Sequence, residues 1–492
     1  MKTRLFSILV ILAIGLAGFT QPAQAQAYIT SFTTSITYQN VGTAATTQLQ
    51  ILFYALPTSI TPITITQPSL AAGAGTAVYI GGLGAITAGF QGTAVMQADQ
   101  PLLATLVQVP DETYGVKNRP ISNGFFAGAP TSLIATVLKG SSDTNTIFSV
   151  QNVDSVAINI NIKFYNTSAF MVHEYNTTTP IQPGAGKYWD TGVGSDPLPA
   201  GFSGSAVVIA TRVGGGDGLI VSSVMELEIT KRGAKAFEGV SQGAKTVYMP
   251  SALCNYLSAG KIQNTAYAIQ NADMVNSTTV TVTYTDLAGV NTYTQSKIIG
   301  AGAKAPFFTC EAGMPYSTYP GWVGSAVVTS SDTDVVAVGK VYGSGASTGF
   351  VGTAAGGGSA KIALPYVRWA NNAAYALGAP NTLSQRVYIA IQNIGSSPIT
   401  GNVTVDYVDC HGIIVGTHTI TQDIAAGAKV TSFPNSVVLE PNEFGRCGTG
   451  YGGSALITAP PGSELTALGR VQTQDVAHGE TVAEDYNSIN VP

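Results

Sequence analysis

One phrase occurs four times in this chain, and its period constrains the architecture more than any other feature. The copies are YQNVGTAATTQLQILFY from Tyr38, VQNVDSVAININIKFY from Val150, IQNADMVNSTTVTVTY from Ile269 and IQNIGSSPITGNVTVDY from Ile391. Asn40, Asn152, Asn271 and Asn393 stand 112, 119 and 122 residues apart. Such a period means a duplicated domain, since solenoid repeats run at roughly 20 to 50 residues.

Three more landmarks follow each copy in the same order. First comes a Gly-Ala turn, as in IQPGAGKYW from Ile181 and IAAGAKVTSF from Ile424. Then comes a strand of small residues, GFQGTAVMQA from Gly89, GFSGSAVVIA from Gly201, GWVGSAVVTS from Gly321 and GYGGSALITA from Gly450. A last apolar strand closes the unit, as in VVAVGKVY from Val335. Ile158, Ile160, Ile162 and Phe164 alternate with polar residues, as do Val403, Val405 and Tyr407. Period two with β-branched side chains marks half-buried strands, and Gly, Asn, Ser and Pro between them mark turns. The spacing predicts an all-β chain of four tandem β-sandwiches of immunoglobulin type. Each Gln-Asn phrase reads as a hairpin, with the Asn supplying turn backbone geometry and the Gln amide bonding to main chain at the strand end.

The boundaries expected on this frame are a signal peptide at 1–27, repeats at 28–116, 117–233, 234–345 and 346–479, and a tail at 480–492. Lys2 and Arg4 precede the apolar run from Leu5 to Phe19, which is short for a membrane span. Small residues in Ala23 to Ala27 fit signal-peptidase cleavage after Ala25 or Ala27. A secreted protein, extracellular or at the cell surface, is the expectation, with no membrane span in the mature chain. The tail is a candidate donor strand for a neighbouring subunit, because repeat one begins with almost nothing ahead of its Gln-Asn strand.

The motif IQNIGSSPITGNVTVDYVD resembles the bacterial Ig-like repeats that include the cell-adhesion-related type. The Gly-Ala turn followed by GFSGSAVV is similar to tandem repeats of secreted bacterial surface proteins. The resemblance covers all four repeats and implies a fold and an adhesive or structural setting. It carries no catalytic set.

Charge narrows the choice of partner. Only 10% of residues are charged, against about 25% in an average domain. Without Lys2 and Arg4 the chain has 20 basic and 27 acidic residues. A mildly acidic, charge-poor surface does not suit nucleic acid, which needs basic residues to displace counterions. Self-association, other surface proteins or glycans remain as partners.

Cys254, Cys310, Cys410 and Cys447 are the cysteines, and an even count in an exported chain suggests disulfides. The repeat frame pairs Cys254 with Cys310 in repeat three and Cys410 with Cys447 in repeat four. GFSGSA around Ser203 lacks the spacing of a nucleophile elbow, because Ser205 stands where the second Gly is required. Four histidines without paired spacing give no metal motif. No cofactor or metal is expected, and no enzyme activity. Trp322 shares its position with Phe90, Phe202 and Tyr451, which points to packing. Trp189 and Trp369 lack such equivalents and are the candidates for stacking a sugar. The expected function is a non-enzymatic structural or adhesive protein of the cell surface or matrix, a self-assembling filament or coat subunit. The alternative is an extracellular carbohydrate-binding protein using Trp189 or Trp369.

Overall fold

The computed structural model describes residues 31–56, 60–110, 118–193, 195–230, 233–258, 260–316, 320–343, 346–370, 383–437, 444, 453–475 and 480–491. The signal segment 1–27 and Cys447 lie outside the described residues. The described chain is all-β, interrupted only by short 3-10 turns.

Repeat one holds β1 (Phe32–Asn40), β2 (Leu49–Ala55), β3 (Ile63–Thr66), β4 (Gly75–Tyr79), β5 (Gly92–Ala98), β6 (Leu102–Pro110) and β7 (Ile121–Asn123). Repeat two holds β8 (Thr131–Ser141), β9 (Thr144–Asn152), β10 (Ile158–Asn166), β11 (Met171–Asn176), β12 (Gly186–Asp190), β13 (Phe202–Arg212), β14 (Ile220–Glu228) and β15 (Ala234–Glu238). Repeat three runs from β16 (Thr246–Cys254) and β17 (Tyr256–Ser258) through β18 (Lys261–Asn271), β19 (Thr278–Asp286), β20 (Thr292–Ile299) and β21 (Lys304–Phe308). It ends with β22 (Trp322–Ser330), β23 (Val335–Gly343), β24 (Ala346–Val351) and β25 (Thr353–Ala354). Repeat four starts with β26 (Lys361–Leu364), β27 (Trp369–Ala370), β28 (Leu383–Asn393), β29 (Val403–Val408) and β30 (Ile414–Ile420). It continues with β31 (Lys429–Ser432), β32 (Ser454–Thr458), β33 (Leu465–Asp475), β34 (Glu480–Asn487) and β35 (Ile489–Asn490).

The pairing pattern recurs. In each repeat the strand ending in Gln-Asn (β1, β9, β18, β28) lies between the strand after the Gly-Ala turn and the last apolar strand. Next to that apolar strand lies a further one, β7, β15, β24 or β34. The second layer reads β3-β2-β5, β11-β10-β13-β8, β20-β19-β22-β16-β25 and β30-β29-β32-β26-β35. All these pairs are antiparallel. Inward residues of the two layers meet in the core, where Phe53, Phe164, Tyr284 and Tyr407 occupy one shared position, at most 3% exposed. Burying such a ring contributes about 2 to 3 kcal/mol.

Three expectations are corrected. The Gln-Asn phrase is not a hairpin, because its two strands never pair and in repeats one, three and four they lie in different sheets. A hairpin and a crossover between layers read alike in sequence, since period two says which face is buried and not which strand is the neighbour. The Asn is not a left-handed turn residue either, as among the described residues positive φ outside Gly occurs at Ser142, Asp143, Ala169 and Asn255. Third, the segment from Glu480 is not a detached tail. As β34 it pairs with β33 from Leu468↔Asn487 to Asp475↔Glu480. It is the fourth copy of the strand seen as β7, β15 and β24, each hydrogen-bonded to the last apolar strand of its sheet.

Candidate functional site

The recurring Asn and Gln side chains close each repeat internally, and the Gly-Ala turns that the Gln side chains reach in repeats two to four meet the preceding repeat. The Asn side chains are fully buried. Each Asn Nδ2 donates to the carbonyl four or five residues on, and each also donates to the strand end near residue +30. Asn152 donates to Val156 O at 2.9 Å and Ile181 O at 2.8 Å, and Asn393 to Ser397 O at 2.9 Å and Ile424 O at 2.8 Å. Asn40 and Asn271 do the same toward Ala44 and Leu70, and toward Asn276 and Ile299. Each Oδ1 accepts a backbone N–H two residues on, from Gly42, Asp154, Asp273 and Gly395. One amide thereby satisfies the backbone of the crossing loop inside the core, where an unmet carbonyl costs about 1 to 3 kcal/mol.

The neighbouring Gln reaches the Gly-Ala turn. Gln39, Gln151 and Gln392 donate through Nε2 to Gly73 O, Gly184 O and Gly427 O at 3.0, 3.0 and 2.9 Å. Gln270 bonds Gly302 O at 3.4 Å, and it and Gln392 also reach Ala206 O and Ala326 O of the preceding repeat at 3.2 and 3.3 Å. The same carbonyls accept a hydroxyl from the preceding repeat. Thr93 bonds Gly184 O at 2.6 Å, Ser205 bonds Gly302 O at 2.6 Å, and Ser325 bonds Gly427 O at 2.9 Å. All four glycines have positive φ, between +66° and +78°. At Gly184 and Gly302 a Cβ would also sit within 3 Å of the Tyr54 and Tyr165 rings.

Repeat four closes back onto repeat one. Gly75 N donates to Cys410 O at 3.3 Å, and Gly412 sits against Ala72 and Gly73. Val107 and Ile121 of repeat one join the core of repeat four, and Leu103 packs with Ala363, Ile489 and Val491. The strands β7, β15, β24 and β34 contact one another in a closed cycle. Asn123 Nδ2 donates to Asn487 O at 2.8 Å, and Asn487 exchanges two bonds with Val351 at 2.7 and 2.9 Å. Asn118 Nδ2 reaches Ser347 O at 3.2 Å.

Charges are buried at these joints. Lys340 Nζ lies 2.7 Å from Glu226 Oε1 between repeats three and two, and Thr136 Oγ1 receives Lys340 and Lys304 at 2.9 Å each. Burial pushes the Glu226 carboxyl up, and the Lys340, Lys235 and Lys304 charges more than reverse this, holding it below the ordinary value. Arg470 grips Asp485 with two 2.8 Å bonds and reaches Ser251 and Gln263 of repeat three. Burial lowers the Lys304 and Lys429 ammonium groups to about 7. Burial raises Glu484 to about 8, against the Arg119 N–H bond that it accepts.

The sequence-derived candidates sit elsewhere. Trp189 stacks on Phe148 at 5.3 Å and meets Tyr175 edge-on at 5.5 Å. Trp369 stacks on Phe433 at 5.6 Å, with Tyr388 edge-on and the Arg386 guanidinium 4.9 Å from its centroid. Both are half-buried packing residues in this arrangement, in different repeats. Trp322 is buried between Tyr284 and Tyr293. Cys254 and Cys310 form a disulfide. Cys410 is also disulfide-bonded, and its expected partner Cys447 lies outside the described residues. Among the described residues no three His, Cys, Asp or Glu side chains are placed to hold a metal, and no helix is long and apolar enough to cross a membrane.

Sequence reading missed the joints. The signals were present in the positive-φ Gly of each turn and in the hydroxyl at Thr93, Ser205 and Ser325, but nothing local says that these two meet across repeats. No protein-family model matches the chain, and no curated protein matches it. Among solved structures, a Thermotoga maritima protein described as Thermotoga maritima 1070 is similar at 12% identity, with a TM-score of 0.19. It covers 23% of this chain and 96% of its own length.

Proposed function

We propose that the chain is a secreted, non-enzymatic structural protein of the cell surface or extracellular matrix, built from Ig-like repeats and serving as an adhesive or coat subunit. One observation carries this reading. The polar residues that recur in all four repeats are bound up in fastening a repeat internally or to its neighbour. The low charge content of 10% fits a surface that packs against others of its kind. The subunit is then a closed block of four repeats rather than a rod, and β34 is engaged with β33 of its own repeat rather than with a neighbouring subunit. Stacking of a sugar on Trp189 or Trp369 has less support, since both rings already contact aromatic neighbours.

Immuno-electron microscopy of native cells tests the proposal. Label over an extracellular layer or matrix is the expected result. Label confined to the cell interior would overturn it, as would a catalytic turnover that survives purification to homogeneity.

A further inference from the structure

In repeats two, three and four the strand of small residues is covered on its far edge by a strand that opens the repeat. β13 pairs with β8, β22 with β16 and β32 with β26. The end of each ladder is marked by the same bond: Ala210, Ser330 and Ala459 donate through N–H to Pro130, Lys245 and Ala360 carbonyls, each at 2.8 Å. β5 is the equivalent strand of repeat one, and among the described residues it pairs with β2 alone.

The consequence is visible in burial. Ala206 and Val208, Ala326 and Val328, and Ala455 and Ile457 are all 0% exposed. Their counterparts Ala94 and Met96 are only half-buried, and Gln97 and Ala98 are exposed. β5 carries no charge and no Pro, the devices that normally blunt an open edge.

We propose that β5 is an acceptor for one extended strand supplied by another polypeptide. The three filled slots define the chemistry of that strand. Opposite the Ala position stand Ile134, Met249 and Leu364, and opposite the next inward position Ser132, Val247 and Ile362. The incoming segment therefore carries a large aliphatic side chain two residues after a small or β-branched one, and runs antiparallel to β5. Backbone bonds give affinity and the alternate side chains give selectivity, as in strand addition generally.

The slot favours a lone strand over a second copy. β8 is wedged between β13 and the β18–β23 face of the next repeat, and β16 between β22 and the β28–β33 face. On repeat one, β5 likewise meets repeat two, where Thr93 bonds Gly184 O and its methyl lies against Gly186, a β12 residue paired with β9. Edge-to-edge pairing of two β5 strands would bring a whole second sandwich into that space. Of the residues just ahead of β1, QPAQAQAYIT, Ala27 and Ile29 share that spacing, and the exchange measurement below separates such a segment of the chain itself from an added strand. This site stands whether or not the protein is a surface structure.

The test uses the secreted protein and fluorescein-labelled peptides with the sequence of residues 246–253 and 361–367. Anisotropy titration should give saturable binding. Asp at the two inward peptide positions should weaken it at least tenfold, and Ala98→Pro in the protein should do the same. That substitution removes an N–H on the slot side and leaves the ladder to β2, which a thermal melt checks. If it fails to fold, the Asp-bearing peptides still decide the question. Amide exchange at Ala94, Met96 and Ala98 should be fast alone and slow with peptide. No saturable binding of either peptide would overturn the proposal. Slow exchange in the lone monomer would also overturn it, because the chain's own residues would then cover the edge. Slow exchange that appears only on dimerisation would assign the slot to a second copy and overturn it too.

Discussion

Lys340 Nζ and Glu226 Oε1 lie 2.7 Å apart across the joint between repeats three and two, with the carboxylate wholly buried. Breaking a buried pair strands one charge, which costs more than the pair itself contributes. Lys340→Ala should therefore destabilise the protein by about 3 kcal/mol in urea unfolding. Lys340→Met combined with Glu226→Leu should recover most of that loss. Equal destabilisation in the single and double variants would remove the ion pair as the cause.

The Asn clamp should behave as a donor. Asn393→Ala leaves the Ser397 and Ile424 carbonyls without their bonds, and about 3 kcal/mol of stability should be lost. Asn393→Asp keeps the acceptor for Gly395 N–H and should be comparably damaging, because the two donors are gone. A stable Asp variant in a chemical melt would show that the Oδ1 bond was the important one.

Two glycines separate backbone strain from steric contact. Gly313 has φ +82° and open space where a methyl group would point, so Gly313→Ala should cost about 1 kcal/mol. Gly302 has φ +66°, and a Cβ there would press on the Tyr165 ring at 2.8 Å. Gly302→Ala should cost about 3 kcal/mol, combining both effects. Tyr165→Ala in the same chain should narrow the difference between the two glycine sites.

Stability should pass through a minimum near pH 7 to 8 from three buried groups. Glu484 titrates at about 8 in the fold against an ordinary 4.5, so the folded state holds the extra proton between those values. Its contribution is full below pH 4.5 and is lost as pH rises to 8. Lys304 and Lys429 titrate at about 7 against 10.5, so the unfolded state holds the extra protons between those values. Their penalty is full below pH 7 and is relieved as pH rises to 10.5. Glu484→Gln should flatten the acid limb of a thermal-melt profile, and Lys304→Met with Lys429→Met the alkaline limb. A profile unchanged in all three variants would contradict these assignments.

The sequence by itself determined the β-class, the fourfold order of strands and the Cys254–Cys310 bridge. Alternation in segments such as Ile158 to Phe164 states that one face is buried, and the repeat frame brings the two cysteines into one unit. It could not state that β28 and β29 belong to opposite layers, because alternation is blind to which strand a backbone bonds. Nor did it locate the joints. Ser205 and Gly302, 97 residues apart, meet through a backbone carbonyl, and any residue can offer one. The return of repeat four onto repeat one and the edge of β5, uncovered among the described residues, belong to tertiary structure alone. Each depends on how all four repeats turn about β7, β15, β24 and β34, and that geometry is the sum of contacts too distant in sequence to leave a local pattern.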